Sequence, residues 1–220
     1  MGYGNYIPTP LAVREDTVFV RDSFEEVLSQ GASRHYVVEA GASLNVVCGV
    51  LPGKSSSFDI EVDIIGEGAS VELAGAYVTG ASEDVSFNIL MHHRVGRTYS
   101  HQLFKGLAGG VSKVKFDGRI IVAPEAQQIE AYQENHNILI SEEARVETKP
   151  QLEIYADDVK CSHGATVGKL SEEERFYMRS RGIPEKEAKV LQMISFLSPV
   201  LAHLSEDSGK AFEKEVRVLA

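Results

Sequence analysis

The chain has 220 residues, 43% of them hydrophobic and 25% charged. That is enough apolar material for one packed domain with or without an appendage, and too much for wholesale disorder. Asp and Glu number 32 against 22 Lys and Arg, a formal charge of −10. No run of four basic residues occurs, which argues against nucleic acid as a partner. No apolar run reaches the roughly 18 residues of a membrane span. The opening MGYGNYIPTP lacks the basic start and apolar stretch of a signal peptide. The reading is a soluble, cytoplasmic chain with no membrane partner. In such a compartment Cys48 and Cys161 are expected to be free thiols.

In chain order, residues 1–33 read as a leader with one short helix. Ser23 and Glu26 have capping-box spacing, Phe24, Val27 and Leu28 offer a small apolar face, and Gly31 can stop the helix. Residues 34–168 change to short strands rich in Val and Ile and punctuated by Gly, Ser or Pro. The first four run from His35 to Glu39, Leu44 to Val50, Phe58 to Ile65 and Val71 to Val78. Val85 to Met91, Tyr99 to Phe104, Ser112 to Val122, Ile129 to Tyr132, Asn137 to Ile140 and Gln151 to Tyr155 follow. No convincing helix of ten residues fits between them, which argues against βαβ units and a doubly wound sheet.

A weak repeat runs through this zone. Gly-Ala-Ser recurs at Gly31, Gly41, Gly68 and Gly80, and the phrases beginning at Ala42 and Ala69 share a plan 27 residues apart. That is about one coil of a β-solenoid, in which strands pair above and below and apolar positions line a continuous interior. The competing all-β architecture, a sandwich, needs hairpin turns, and only Asp117-Gly118 offers one.

Residues 169–220 read as a small helical domain. Ser171 and Glu174 make a capping box, and Gly182-Ile183-Pro184 gives a stop followed by a start. Val190, Ile194, Leu197, Leu201 and Leu204 form an apolar stripe at helical spacing, with Pro199 expected to kink or split the helix. Phe212, Val216 and Leu219 repeat the stripe. The tail is expected to pack on the end of the β-zone or to carry a partner.

Familiar catalytic signatures are absent. Gly53-Lys54-Ser55 lacks the leading glycine of a phosphate loop, Gly66 and Gly68 lack the third glycine of a dinucleotide fingerprint, and no nucleophile elbow or His-Glu-x-x-His occurs. His92, His93 and His101 form a loose group, but adjacent strand residues face opposite ways. Cys48 reads as a small buried hydrophobe. Cys161 and His163 are two apart, so in extended backbone they project to one side, and a thiolate with an imidazole suits iron or zinc. The spacing alone equally suits two residues with no metal role, and two ligands are too few for a cluster or a zinc site; a two-fold dimer would supply two of each, and a related second subunit could serve equally.

The segment from Tyr155 to Leu170, YADDVKCSHGATVGKL, closely resembles the most specific motif of the SufB/SufD family, the scaffold subunits of the SUF iron–sulfur cluster assembly system. The resemblance continues through FYMRSRGI from Phe176 to Ile183. It extends upstream through Ser100 to Gly106, Phe116 to Val122, Gln133 to Ser141 and Thr148 to Ile154. It implies a right-handed parallel β-helix core followed by a small C-terminal α-helical domain. It also implies a non-catalytic scaffold working with a SufC-type ABC ATPase and with a SufB-like subunit or a second copy of itself.

Carried over, Cys161 and His163 would be ligands of a transient iron–sulfur cluster shared across the dimer interface, with none permanently bound in the isolated chain. The ATPase-facing surface would involve Phe176, Arg179, Arg181, Val190, Ile194 and Leu197. Family members are usually about twice as long, with an N-terminal helical extension. The SufB branch also carries a cysteine near Asn135 that this chain lacks, so the resemblance is to a shortened SufD. Without the resemblance, the residues also allow a stand-alone solenoid serving oligomerisation or carbohydrate binding.

Overall fold

The computed structural model describes residues 6–29 and 31–220; half of the opening segment inspected for a signal peptide, residues 1–5, lies outside them. Among the described residues twelve strands precede three helices. They are β1 (Thr17–Val20), β2 (Ser23–Ser29), β3 (Ala32–Val38), β4 (Ser43–Val50), β5 (Ser56–Ile64), β6 (Ser70–Thr79), β7 (Asp84–His93), β8 (Tyr99–Ala108), β9 (Lys113–Val122), β10 (Ile129–Leu139), β11 (Arg145–Ile154) and β12 (Val159–Gly168), then α1 (Glu172–Ser180), α2 (Glu185–Leu201) and α3 (Glu206–Leu219). Odd strands form one six-stranded sheet in the order β1-β3-β5-β7-β9-β11, and even strands form another in the order β12-β10-β8-β6-β4-β2. Every adjacent pair is parallel. The chain is therefore a parallel β-solenoid of about five turns, and Asp117-Gly118, the one hairpin signal, lies in the middle of β9.

The repeat seen in the sequence is the coil itself. Ser43 pairs with Ser70, so the phrases starting at Ala42 and Ala69 stack on one another. Gly41 and Gly68 take left-handed backbone, φ 70° and 76°, at the same corner. The corner continues upward with no glycine at Arg97 and Gln128, φ 55° and 59°. It is held by Gly68 N–H donating to Arg97 O at 3.0 Å and Arg97 N–H to Gln127 O at 2.9 Å. Stacked backbone bonds offset the cost of a side chain at positive φ, about 1 kcal/mol per residue.

Inside, Phe58, Phe87 and Phe116 stand in register on the odd sheet. Phe104 of the even sheet wedges against Phe87 and Phe116 at centroid distances of 5.1 and 5.0 Å. It fits because Gly75, one coil below, leaves that volume empty. Each buried ring contributes up to about 3 kcal/mol.

The helices cover the outer face of the even sheet. Val190, Met193, Leu197 and Val200 of α2 and Phe212 and Val216 of α3 form one buried cluster with Val47, Ala74, Ala76, Val78 and Leu107. The tail thus packs on the side of the solenoid and not on its end. Small residues at 74 and 76 let the helices approach closely. Ser171 caps α1 by accepting the Glu174 N–H. Gly182, φ 87°, ends that helix with Ile183 N–H donating to Met178 O and Gly182 N–H to Arg179 O, the Schellman arrangement.

Three further expectations are corrected. The leader helix at Ser23 is instead strand β2, whose inward positions in register with Leu44, Val46 and Cys48 are Phe24, Glu26 and Leu28. Glu26 breaks the apolar alternation, yet it is held by the Tyr36 hydroxyl at 2.6 Å and by Arg34. Pro199 does not split α2, because it falls in the last turn, and the Ser195 carbonyl it leaves free accepts the Ser198 hydroxyl at 2.8 Å. The two short strands expected at 129–132 and 137–140 are one continuous strand, β10.

Candidate functional site at the last coil

β12 is the edge of its sheet, paired with β10 alone. Cys161 continues the inward ladder Leu44, Val71, Ser100 and Ala131; His163 continues Val46, Leu73, Gln102 and Gln133. Both side chains therefore face the interior side of a coil that no further coil covers among the described residues. Cys161 is half-buried against the core and His163 is exposed. Partial burial pushes the Cys161 thiol above its ordinary value, with the Ala131 backbone pulling the other way. A metal that binds there displaces a proton. The approach is anchored by Asp158, whose N–H and C=O bond Gln127 and Gln128 at the stacked corner. Pro150 occupies β11, the edge of the other sheet, where a missing N–H costs no ladder bond.

Beneath this rung the interior turns from apolar to polar. Ser100, Gln102, Gln133, Asn135 and Asn137 are all buried. Tyr77 fills the space above Gly106 and donates to Asn137 Oδ1 two coils on, at 2.6 Å. Asn137 Nδ2 in turn donates to Asn135 Oδ1 at 2.7 Å and to Thr166 O of β12 at 3.1 Å. Gln133 Nε2 donates to Gln102 Oε1 at 2.9 Å. Sequence reasoning missed this seam. Gln133-Glu134-Asn135-His136-Asn137 is polar at every position, so no period-two signal separates inward from outward residues.

The three histidines do not meet. His93 points inward and is held by Thr98 and Ser100 at 2.7 and 2.8 Å. His92 points outward near Asp63, and His101 lies on the other sheet between Glu72 and Glu134. His35, Glu61 and Asp63 bring metal-type donors together on the outer face of the odd sheet. However, Arg94 binds Asp63 and Arg14 binds Glu61, so guanidinium groups already balance both carboxylates. Cys48 is fully buried and free, and burial pushes its thiol up. A cavity of about 390 Å³ between β4 and α3, lined by Val27, Gly49, Leu51, Leu204 and Phe212, sits at the opposite end of the even sheet from Cys161.

The residues expected at a docking surface divide by burial. Val190 and Leu197 are 1% and 0% exposed and Ile194 is partly buried: the stripe fastens α2 to the sheet and offers no free face. Phe176 is 72% exposed. Arg179 and Arg181 are exposed too, Arg179 pairing with Glu185 at 3.3 Å and Arg181 lying 5.3 Å from the Tyr177 ring centroid. Among the described residues no helix is long and apolar enough to cross a membrane.

Residues 22–196 match the family model described as SUF system FeS cluster assembly, SufBD core domain. The iron–sulfur cluster assembly protein SufD of Escherichia coli is 34% identical over 161 residues, which are 73% of this chain and 38% of that protein. A SufBD family iron–sulfur cluster assembly protein of Synechocystis is 40% identical over 129 residues, 59% of this chain and 27% of that one. Another of the family, from Mycobacterium leprae, is 26% identical over 202 residues, 88% and 51%. The chain thus spans about half or less of the length of these relatives. Through its SufBD core domain, an open-ended solenoid with side-packed helices, the chain belongs to the SufB/SufD family.

Proposed function

We propose that this chain is a non-catalytic scaffold subunit of cytoplasmic iron–sulfur cluster assembly. In this reading β12 faces the matching edge of a SufB-like subunit or of a second copy, and Cys161 and His163 supply part of the ligand set for a nascent cluster that is cargo. The observation that carries it is the placement of this thiol and imidazole on the inward face of the uncovered terminal strand. Two soft or borderline donors make an incomplete site, and an open sheet edge is a template for the chain that completes it. The exposed side of α1, with Phe176, Arg179 and Arg181, is the surface offered to a SufC-type ATPase. Hydrolysis by that partner would move the subunits and expose the two ligands to iron and sulfide.

The test is anaerobic affinity purification from the native host, with iron and sulfide assayed in the eluate. Wild type is expected to bring down an ABC-type ATPase, a SufB-like chain and bound iron. Changing Cys161→Ser together with His163→Ala is expected to keep the partners and lose the iron. Unchanged iron content would sink the ligand assignment, and an iron-free homo-oligomer would overturn the assembly role.

A further inference from the structure

Gln133 presents a buried polar atom that nothing in the fold consumes. Its side chain is wholly buried, Nε2 is committed to Gln102 Oε1 at 2.9 Å, and Oε1 has no hydrogen-bond partner among the described residues. A buried acceptor left unsatisfied is destabilising, so an apolar side chain would serve the core better here. The opposite sheet makes room for the carboxamide: the ladder Ile60, Ile89 of the odd sheet gives way to Gly118, where a Cβ would lie 2.6 Å from Gln133 Nε2. Gln102 is the rung below Gln133 and His163 is the rung above. The amide pair leaves one acceptor, Gln133 Oε1, and one donor, Gln102 Nε2, unpaired among the described residues, and of the two side chains Gln133 is the one next to the exposed His163.

We propose that Gln133 is a positioning residue for His163: when the exposed imidazole turns toward the interior, Gln133 Oε1, unpaired with the ring outward, accepts a ring N–H and holds one tautomer. The other ring nitrogen then keeps its lone pair for a metal at the open end. Partners of this kind orient histidine ligands at metal sites generally. The inference builds on the ligand role given to His163 above, but its physical content is a hydrogen bond in the metal-free chain.

The test is ¹⁵N NMR of the full, metal-free chain, reading the two ring-nitrogen shifts of His163. Wild type is expected to favour one tautomer about fivefold over what a free histidine shows, the ratio that one hydrogen bond of ~1 kcal/mol produces. Gln133→Leu is expected to remove that bias, and Gln133→Glu, which keeps an acceptor, to restore it. The ring signals of His93, held by its own hydroxyl partners, report whether each variant has kept its fold. A wild-type His163 with the tautomer ratio of free histidine would overturn the proposal even if no variant folds. So would a bias that survives Gln133→Leu. Loss of iron from the Cys161/His163 variant tests the ligand role separately, so either idea can fail while the other stands.

Discussion

Cys161 stands in register with Ala131, one coil further along the same inward ladder. Ala131 is fully enclosed, whereas Cys161 is only half-buried. In a solenoid an inward position is dried by the coils on either side of it, and only the terminal coils lack one of these covers. A polar, reactive pair can sit in line with a hydrophobic core at such an end without paying for full desolvation. The polar seam below it, from Ser100 to Asn137, eases the change from dry interior to open end.

The two thiols should therefore behave differently. Under native conditions a small alkylating reagent is expected to add once, at Cys161, and a second adduct at Cys48 to appear only in denaturant. Mass spectrometry of the peptides checks this. In the assembled complex Cys161 should become protected; equal labelling of free and assembled protein would argue against its lying at a subunit interface.

Acid should destabilise the fold through two histidines. Burial and nearby Arg94 hold His92 down at about 4, and burial with neighbouring His92 holds His93 down at about 3, against an ordinary 6.5. Below 6.5 the unfolded chain takes up protons that the folded chain refuses. This contribution is therefore intact above pH 6.5 and is lost as pH falls toward these folded values, by up to ~1.4 kcal/mol per pH unit for each group. Urea midpoints from neutral pH downward are expected to fall, with a shallower slope in His93→Gln.

Close packing across the solenoid makes two glycines irreplaceable. A Cβ at Gly106 would enter the Tyr77 ring, and one at Gly75 would enter Phe104. Gly106→Ala should also push the Tyr77 hydroxyl off Asn137. Each substitution is expected to cost about 1–3 kcal/mol, read from denaturant unfolding; the same change at Gly164, where nothing lies within 4 Å, should be near neutral.

The helical tail should be held by Leu197 more than by its exposed residues. Leu197→Ala is expected to cost about 2–5 kcal/mol and to raise amide exchange across α2 and α3. Phe176→Ala should leave stability within about 0.5 kcal/mol while weakening capture of the ATPase. Unaltered capture would remove α1 from the docking surface.

Much of the β-zone was legible because its signals are local. Val and Ile at alternating positions mark strands, and Gly41 and Gly68 mark one corner of successive coils. Legibility failed where a polar residue points inward. Glu26 disguised β2 as a helix, and Gln133, Asn135 and Asn137 hid the middle of β10, because period-two reasoning equates inward with apolar.

From the residues alone follow the 27-residue spacing of one coil, the preference for a solenoid over a sandwich, the Ser171 cap and the shared face of Cys161 and His163, all set by spacing over a few positions. Only the tertiary structure decided that the helices lie along the even sheet and that Val190 and Leu197 are spent fastening them. It also decided that the three histidines stay apart and that Gln133 lies one rung beneath His163. Those relations join residues about thirty positions apart through coil stacking, and inter-strand registry is a property of the whole stack that no local pattern encodes.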